Sequence, residues 1–149
     1  MQVDVKIDTT VKDIEVLITS DKRSQTVDEL VDYIYDYERK QITKLTAYRG
    51  DIAFLIDVID IMRIYTGNQK VFIETLQGEY VVKYRLYELE ELLENKTFLR
   101  ISNSEIVNTK KIRDIDLSII GRICIRFPGN VQTYVSRRYI PKIKKSLGI

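Results

Sequence analysis

The sequence FLRISNSEIVNTKKI, residues 98–112, places a short apolar run, a polar turn and a lysine pair next to one another. The residues Phe98, Leu99 and Ile101 favour a strand that ends near Ile101. Asn103 follows between two serines, and Asn and Ser side chains often stabilise turns by hydrogen bonding to nearby backbone groups. The segment therefore predicts a strand that leads directly into a polar turn.

The charge of the chain is divided unevenly around this segment. Residues 95–149 contain 12 Lys or Arg and 3 Asp or Glu, whereas residues 1–94 contain 12 and 19. The formal net charge of +2 therefore conceals a surplus of +9 in the last third and −7 before it. A basic region of this kind is typical of a surface that binds a polyanion.

The length and composition are those of a folded chain with one ordinary domain, or with one domain and a short extension. It has 149 residues, of which 44% are hydrophobic, and only 2 prolines. No run approaches the roughly 20 apolar residues that a membrane-spanning helix needs. Residues 1–8 alternate apolar and charged side chains, which is unlike a signal peptide. We therefore expect a cytoplasmic protein that is not itself a membrane protein.

The chain has no histidine and a single cysteine, Cys124. An internal disulfide is thereby excluded, and the usual zinc, Ser-His-Asp and Cys-His sites lack the residues that they require. We expect no catalytic residues, no metal and no cofactor. Chemistry through carboxylates such as Asp57 or Asp60 is the enzymatic alternative that remains.

Residues 1–43 are predicted to form a β-β-α extension. Val3, Val5 and Ile7 alternate with polar residues, as do the apolar residues of the stretch 14–18, and each pattern indicates a half-buried strand. Apolar residues then recur at helical spacing up to about Lys40. We expect this extension to act as a dimerisation or core-capping element.

Residues 44–149 alternate mostly with the period of β-strands. Short strands at this spacing favour an all-β sandwich or a pair of sheets. One amphipathic helix is predicted at 85–96, and a second from about 138 to 147, with Pro141 in its first turn and Gly148 at its end. Predicted strands lie at 45–49, 51–56, 60–66, 70–75, 79–84, 98–101, 111–117, 122–127 and 131–135.

The junction before the last helix carries Ser136, Arg137 and Arg138. Backbone N–H groups at a helix start and two guanidinium groups would converge there, which suits an anion. Without further information, a solvated arginine pair at a helix end explains the same residues equally well.

Several motifs together resemble the LytTR DNA-binding domain of bacterial transcription regulators. They are KYRLYELEELL, Phe98, LRISNSEIVNTKKI, the GRI strand and VSRRYIPKIKKSLG, and the resemblance covers residues 44–149. It implies a mostly β (α+β) fold, an elongated arrangement of three small antiparallel sheets with a short helix and a C-terminal helix. It also implies that loops enter successive major grooves of double-stranded DNA at direct repeats, with two copies of the protein bound.

The resemblance implies specific roles for individual residues. Lys70, Asn103 and Arg138 are expected to contact bases, and Arg and Asn can each bind a base edge through two hydrogen bonds. Asn103 has a competing interpretation as a turn residue, and Asn108 is better explained as a residue that satisfies backbone groups. The expected phosphate contacts are Asn68, Arg100, Ser102, Ser104, Lys110, Ser136 and Arg137.

The resemblance implies a sequence-specific DNA-binding transcription regulator, and we expect it to form a homodimer on its site. A receiver domain does not fit beside about 106 residues of DNA-binding domain, so we expect control by abundance, a partner protein or a membrane-bound inhibitor. The alternative is a protein-interaction module whose basic surface binds an acidic protein partner.

Overall fold

The computed structural model describes residues 1–39, 42–93 and 97–149, which divide into two compact units, Met1–Arg39 and Lys40–Ile149. In the first unit, α1 (Gln25–Arg39) is the predicted helix. The hydroxyl of Ser24 accepts a hydrogen bond from the backbone N–H of Val27 at 3.4 Å and caps its first turn. The predicted end of this helix at Lys40 lies outside the described residues.

The two strands predicted before α1 are not formed, since residues 1–24 contain no strand. The prediction was wrong because alternation alone does not make a strand, which also needs a neighbour to bond its backbone N–H and C=O groups. Val3, Val5 and Ile7 are accordingly about four-fifths exposed. The β-β part of the predicted extension is therefore corrected to irregular chain.

In its described residues, the second unit contains ten strands and two α-helices. The strands are β1 (Lys44–Arg49), β2 (Ile52–Asp57), β3 (Arg63–Gly67), β4 (Lys70–Thr75), β5 (Gly78–Val82), β6 (Phe98–Ser102), β7 (Glu105–Asn108), β8 (Asp114–Asp116), β9 (Cys124–Phe127) and β10 (Val131–Tyr134). The helices are α2 (Leu86–Leu92) and α3 (Ile140–Leu147). The predicted mostly β fold with short helices is confirmed.

Across the part of the chain that the structure describes, the strand pairs are all antiparallel and form two sheets. A seven-stranded sheet has the order β2-β1-β5-β4-β3-β7-β6, and a three-stranded sheet has the order β10-β9-β8. The resemblance implied three sheets. The β1–β2 hairpin is joined to β5 through the single pair Tyr48↔Val81, and this contact merges two of the expected sheets into one.

Strand β7 was missed by the sequence analysis. All four of its residues are buried, so its pattern does not alternate between apolar and polar. Ile106 packs into one hydrophobic cluster and Val107 into another. A strand that is covered on both faces gives a short, continuous buried run, which periodicity does not distinguish from other structures.

The two hydrophobic clusters fix the helices. Leu89 of α2 is fully buried in the first cluster, and Ile143 of α3 is fully buried in the second together with Phe127 of the three-stranded sheet. Helix α2 agrees with the prediction over Leu86–Leu92, and residues 94–96 of the predicted helix lie outside the described residues.

Helix α3 starts slightly later than predicted, because Arg137–Tyr139 form a 3₁₀ turn before it. Pro141 lies in the first turn of α3, as expected for a residue without an N–H group. Gly148 ends the helix with a φ of 69°, a conformation that glycine adopts without strain. In the part of the chain that the structure describes, no helix is long and apolar enough to cross a membrane.

Candidate nucleic-acid interface

The first candidate segment is the two-residue turn between β3 and β4. The pair Gly67↔Lys70 closes this hairpin, and both turn residues have positive φ, 49° at Asn68 and 62° at Gln69. Such angles are those of the type I′ turn that matches the twist of a hairpin. The side chains of Asn68 and Lys70 are exposed, so the turn presents an amide and an ammonium group to solvent.

The second segment is the turn between β6 and β7, which contains Asn103. The hydroxyl of Ser102 accepts a hydrogen bond from the backbone N–H of Ser104 at 3.2 Å, and the two hydroxyls lie 3.2 Å apart. Asn103 and Ser104 are exposed, whereas Ser102 is half-buried. The Tyr139 hydroxyl donates a hydrogen bond to Oδ1 of Asn103 at 3.3 Å.

Arg100 supports this turn from the protein side. Its Nε donates to the carbonyl of Ser102 and its Nη2 to the carbonyl of Asn103, each at 2.6 Å. Its Nη1 forms an ion pair with Oε2 of Glu90 at 2.8 Å. The predicted phosphate contact at Arg100 remains untested, and this geometry favours a role within the turn.

The third segment is the junction between β10 and α3. The backbone N–H of Ser136 donates to the carbonyl of Ile101 at 2.9 Å, and the N–H of Tyr139 donates to the carbonyl of Ser136 at 2.9 Å. Arg137 and Arg138 are exposed in the 3₁₀ turn, and Ser136 is half-buried. The lysines of α3 are exposed beyond it, at 142, 144 and 145.

Hydrogen bonds hold the three segments next to one another. The N–H of Thr66, at the end of β3, donates to the carbonyl of Ser104 at 2.9 Å. The bonds Ser136–Ile101 and Tyr139–Asn103 join the turn of Asn103 to the third segment. The structure thus brings together the segments that carry Lys70, Asn103 and Arg138, which are 68 positions apart in sequence from first to last.

Lys110 is not part of this group. It lies beyond the far end of β7 from the Asn103 turn, and four strand residues at about 3.3 Å each separate the two places by roughly 13 Å. Its backbone N–H donates to Oδ1 of Asn108 at 3.0 Å, while the amide nitrogen of Asn108 donates to the carbonyl of Ile61 at 2.8 Å. The predicted backbone role of Asn108 is confirmed.

Two residues singled out in the sequence have structural surroundings. Asp57 ends β2, precedes a 3₁₀ turn, and its Oδ1 lies 3.3 Å from Nζ of Lys44. Cys124 is buried in β9.

Sequence reasoning missed a buried carboxylate directly after the Asn103 turn. Oε2 of Glu105 accepts a hydrogen bond from the hydroxyl of Thr133 at 2.6 Å, and its Oε1 lies 3.2 Å from Nη1 of Arg63. Arg63 also pairs with Glu74 at 2.5 Å. Burial raises the pKa of Glu105 above its ordinary value, although the bonds from Thr133 and Arg63 act in the opposite direction. The sequence signal was an acidic residue placed next to apolar ones in a basic region.

Comparison with known proteins agrees with this fold. The model of the LytTr DNA-binding domain family matches residues 51–148. The chain belongs to this family, so the resemblance described above is confirmed. The match includes all of the three adjacent segments.

The curated relatives cover nearly the whole chain. An uncharacterized HTH-type transcriptional regulator of Staphylococcus aureus strain NCTC 8325 / PS 47 is 33% identical over 132 residues, which are 89% of this chain and 88% of the relative. A protein with the same description from strain MRSA252 is 32% identical over 132 residues, which again are 89% of this chain and 88% of the relative.

A solved LytTr DNA-binding domain from Bacillus cereus has the same fold. Its TM-score is 0.69 at 23% identity, and the match covers 73% of this chain and all of that domain. In the described residues of the present chain, α1, α2 and α3 are separated from one another by strands, so no helix-turn-helix is formed there.

Proposed function

We propose that this protein is a transcription regulator that binds double-stranded DNA sequence-specifically at direct repeats, through loops placed in the major groove. The observation that carries the proposal is the hydrogen-bonded convergence of the Lys70, Asn103 and Arg138 segments. Membership of a DNA-binding family and the descriptions of the Staphylococcus aureus relatives support it.

The exposed side chains have the chemistry that base recognition requires. Arg138 can bind O6 and N7 of guanine, Asn103 can bind N6 and N7 of adenine, and Lys70 can donate to guanine. Each good two-bond contact contributes about 1–3 kcal/mol of discrimination. The three residues belong to three short turns, and the major groove, about 12 Å wide, admits elements as broad as an α-helix or a two-stranded β-ribbon.

Phosphate contacts would fix the register of these turns on the duplex without reading sequence. Arg137, Asn68 and Ser104 are exposed and suited to this role. Ser102 and Ser136 are half-buried, so their hydroxyls could reach only a phosphate that lies close to the turn. Lys110 would meet the backbone at a different place from the other candidates.

Direct repeats imply two copies of the protein on one site, and we propose a homodimer on DNA. The unit Met1–Arg39 is the candidate for contact between the copies. We also propose that the protein acts in the bacterial cytoplasm, where its DNA target lies. Control by a partner protein or a membrane-bound inhibitor completes the proposal.

Replacement of Arg138 tests base recognition. A duplex enriched from a random library by the wild-type protein serves as the cognate site, and a random duplex serves as the reference. Arg138→Ala should weaken cognate binding by about 1–3 kcal/mol and leave random binding nearly unchanged, because it removes a base contact. Fluorescence anisotropy over a range of salt concentrations measures both affinities.

Arg137→Ala is the matched control at the neighbouring exposed position. Because Arg137 is expected to contact a phosphate, this variant should weaken binding to both duplexes equally. It should also reduce the slope of log K against log salt by about 1. Equal losses on both duplexes for Arg138→Ala would show that Arg138 contacts only phosphate. Failure of the wild-type protein to enrich any duplex would favour the interaction module for an acidic protein.

A further inference from the structure

The guanidinium group of Arg100 faces the protein and not the solvent. Only 16% of its side-chain surface is exposed, in a basic region whose other arginine candidates, Arg137 and Arg138, are exposed. Three of its nitrogens each donate to a protein oxygen: the carbonyls of Ser102 and Asn103 and the carboxylate of Glu90. A group held in this way has few N–H bonds left for a phosphate.

The two carbonyl groups lie next to an irregularity in the β6–β7 ladder. Arg100 pairs with Ile106 and Ser102 pairs with Glu105, so the register of β6 and β7 shifts between these positions. The turn at Asn103 then follows. Hydrogen bonds from a charged donor are roughly twice as strong as those between neutral groups, so the bonds from Arg100 stabilise this irregular segment and the turn after it.

Glu90 holds Arg100 from the other side. Glu90 lies on α2, next to Leu89, which is fully buried in the first hydrophobic cluster. The helix therefore provides a fixed anchor. The Glu90 side chain is itself half exposed, and its ion pair with Arg100 links this helix to the turn. The planar fork of arginine makes all three contacts at once, which the single ammonium group of lysine does not reproduce.

Both the backbone carbonyl and the side chain of Asn103 are consequently held in place before DNA is bound. Arg100 bonds its backbone carbonyl, and the Tyr139 hydroxyl bonds its side-chain Oδ1. With Oδ1 facing Tyr139, the amino group remains free to donate and one lone pair of Oδ1 remains free to accept. These are the two groups that an asparagine uses to bind adenine, so the orientation favours that base.

We propose that Arg100 is a positioning residue, anchored by Glu90, that determines the base preference of Asn103 without contacting DNA. The proposal rests on the proposed function, because it assigns the cause of a sequence preference at Asn103. It goes beyond that function because it assigns part of the sequence specificity to a residue that does not contact DNA.

The variant Arg100→Lys separates positioning from phosphate binding because it keeps the positive charge. Three duplexes are compared by fluorescence anisotropy: the duplex enriched by the wild-type protein, the same duplex with one base pair replaced, and a random duplex. The replaced base pair is at the position where the Asn103→Ala variant no longer distinguishes one base pair from another. We expect Arg100→Lys to reduce discrimination between the first two duplexes about tenfold and to leave random binding unchanged.

Two further variants complete the test. Arg100→Gln should also lose discrimination with an unchanged salt slope, whereas loss of a phosphate contact would reduce the slope by about 1. Glu90→Gln leaves Arg100 in place and lies on an exposed helix face, so it should fold. It should also reduce discrimination between the first two duplexes, by a smaller factor than Arg100→Lys does. The double variant Glu90→Gln with Arg100→Lys should lose no more discrimination than Arg100→Lys alone.

The outcomes separate the two proposals. Enrichment of a duplex by the wild-type protein together with full discrimination by Arg100→Lys would overturn the positioning role and leave the proposed function intact. A reduced salt slope for Arg100→Gln, with equal losses on every duplex, would assign Arg100 to a phosphate instead. If the wild-type protein enriches no sequence, the proposed function itself fails.

Discussion

At the residue scale, Asn103 and Asn108 have the same side chain and opposite environments. Asn103 is exposed at a turn, and its contacts leave its amino group free. Asn108 is 1% exposed and bonds the carbonyl of Ile61 and the N–H of Lys110. A residue type that suits base recognition thus serves the core when both ends of its amide are satisfied by backbone.

Asn108→Ala should destabilise the protein and leave its sequence preference intact. The variant leaves the buried carbonyl of Ile61 without its amide donor, which costs about 1–3 kcal/mol in the free energy of unfolding. Urea denaturation measures this loss. Asn103→Ala is the matched control, with little change in stability and a reduced preference for the cognate duplex. A folded Asn108→Ala variant that no longer discriminates between duplexes would contradict this assignment.

At the element scale, Glu105 joins the two sheets beside the Asn103 turn. It lies on β7 of the large sheet and accepts a hydrogen bond from Thr133 on β10 of the small sheet. Arg63 of β3 holds its other oxygen. This buried network fixes the position at which β7 leaves the turn, so it supports the geometry of the candidate interface.

The raised pKa of Glu105 predicts a pH dependence of stability. A carboxyl group whose pKa is raised by folding is more easily protonated in the folded than in the unfolded protein. Its stabilising contribution is fully present below the unfolded value and is lost as the pH rises through the folded value. The free energy of unfolding of the wild type, relative to that of Glu105→Gln, should therefore decrease as the pH rises above 4.5, the ordinary value for this group.

Urea titrations of both proteins at a series of pH values check this prediction. Glu105→Gln keeps an oxygen that can accept from Thr133 and removes the titrating group. A difference between the two proteins that stays constant between about pH 4 and pH 8 would show that the environment of Glu105 does not alter its ionisation.

At the scale of the whole molecule, the two units carry net charges of opposite sign. The unit Met1–Arg39 contains 5 basic and 10 acidic residues, whereas the surplus of positive charge lies in the unit with the candidate interface. Long-range attraction to DNA thus acts on the second unit, and counterion release from phosphates makes its affinity dependent on salt.

Removal of residues 1–39 tests the proposed contact between copies. The fragment 40–149 should bind a duplex with one repeat at least as well as the full chain, because the removed residues are mostly acidic. On a duplex with two repeats it should lose cooperativity, since the second copy no longer gains from a contact with the first. Cooperativity equal to that of the full chain would exclude the dimerisation role, and a lower urea midpoint would favour core capping.

The sequence by itself determined most of the elements and the family. Periodicity predicted α2, α3 and most strands, and the motifs around Asn103 and Arg138 identified the LytTr family, because these signals depend on nearby residues and on linear spacing. The tertiary structure alone decided which of the remaining patterns had partners. Residues 3–7 alternate but form no strand, whereas Glu105–Asn108 do not alternate and form one.

The same distinction applies to the candidate site. The family resemblance suggested phosphate contacts at Arg100 and Lys110, yet the structure turns Arg100 toward the carbonyls of its own turn and places Lys110 beyond the opposite end of β7. Hydrogen bonds between segments far apart in the chain determine these positions. Spacing along the chain does not predict such long-range contacts. The sequence therefore determined the chemistry of each side chain, and the fold determined the direction in which it points.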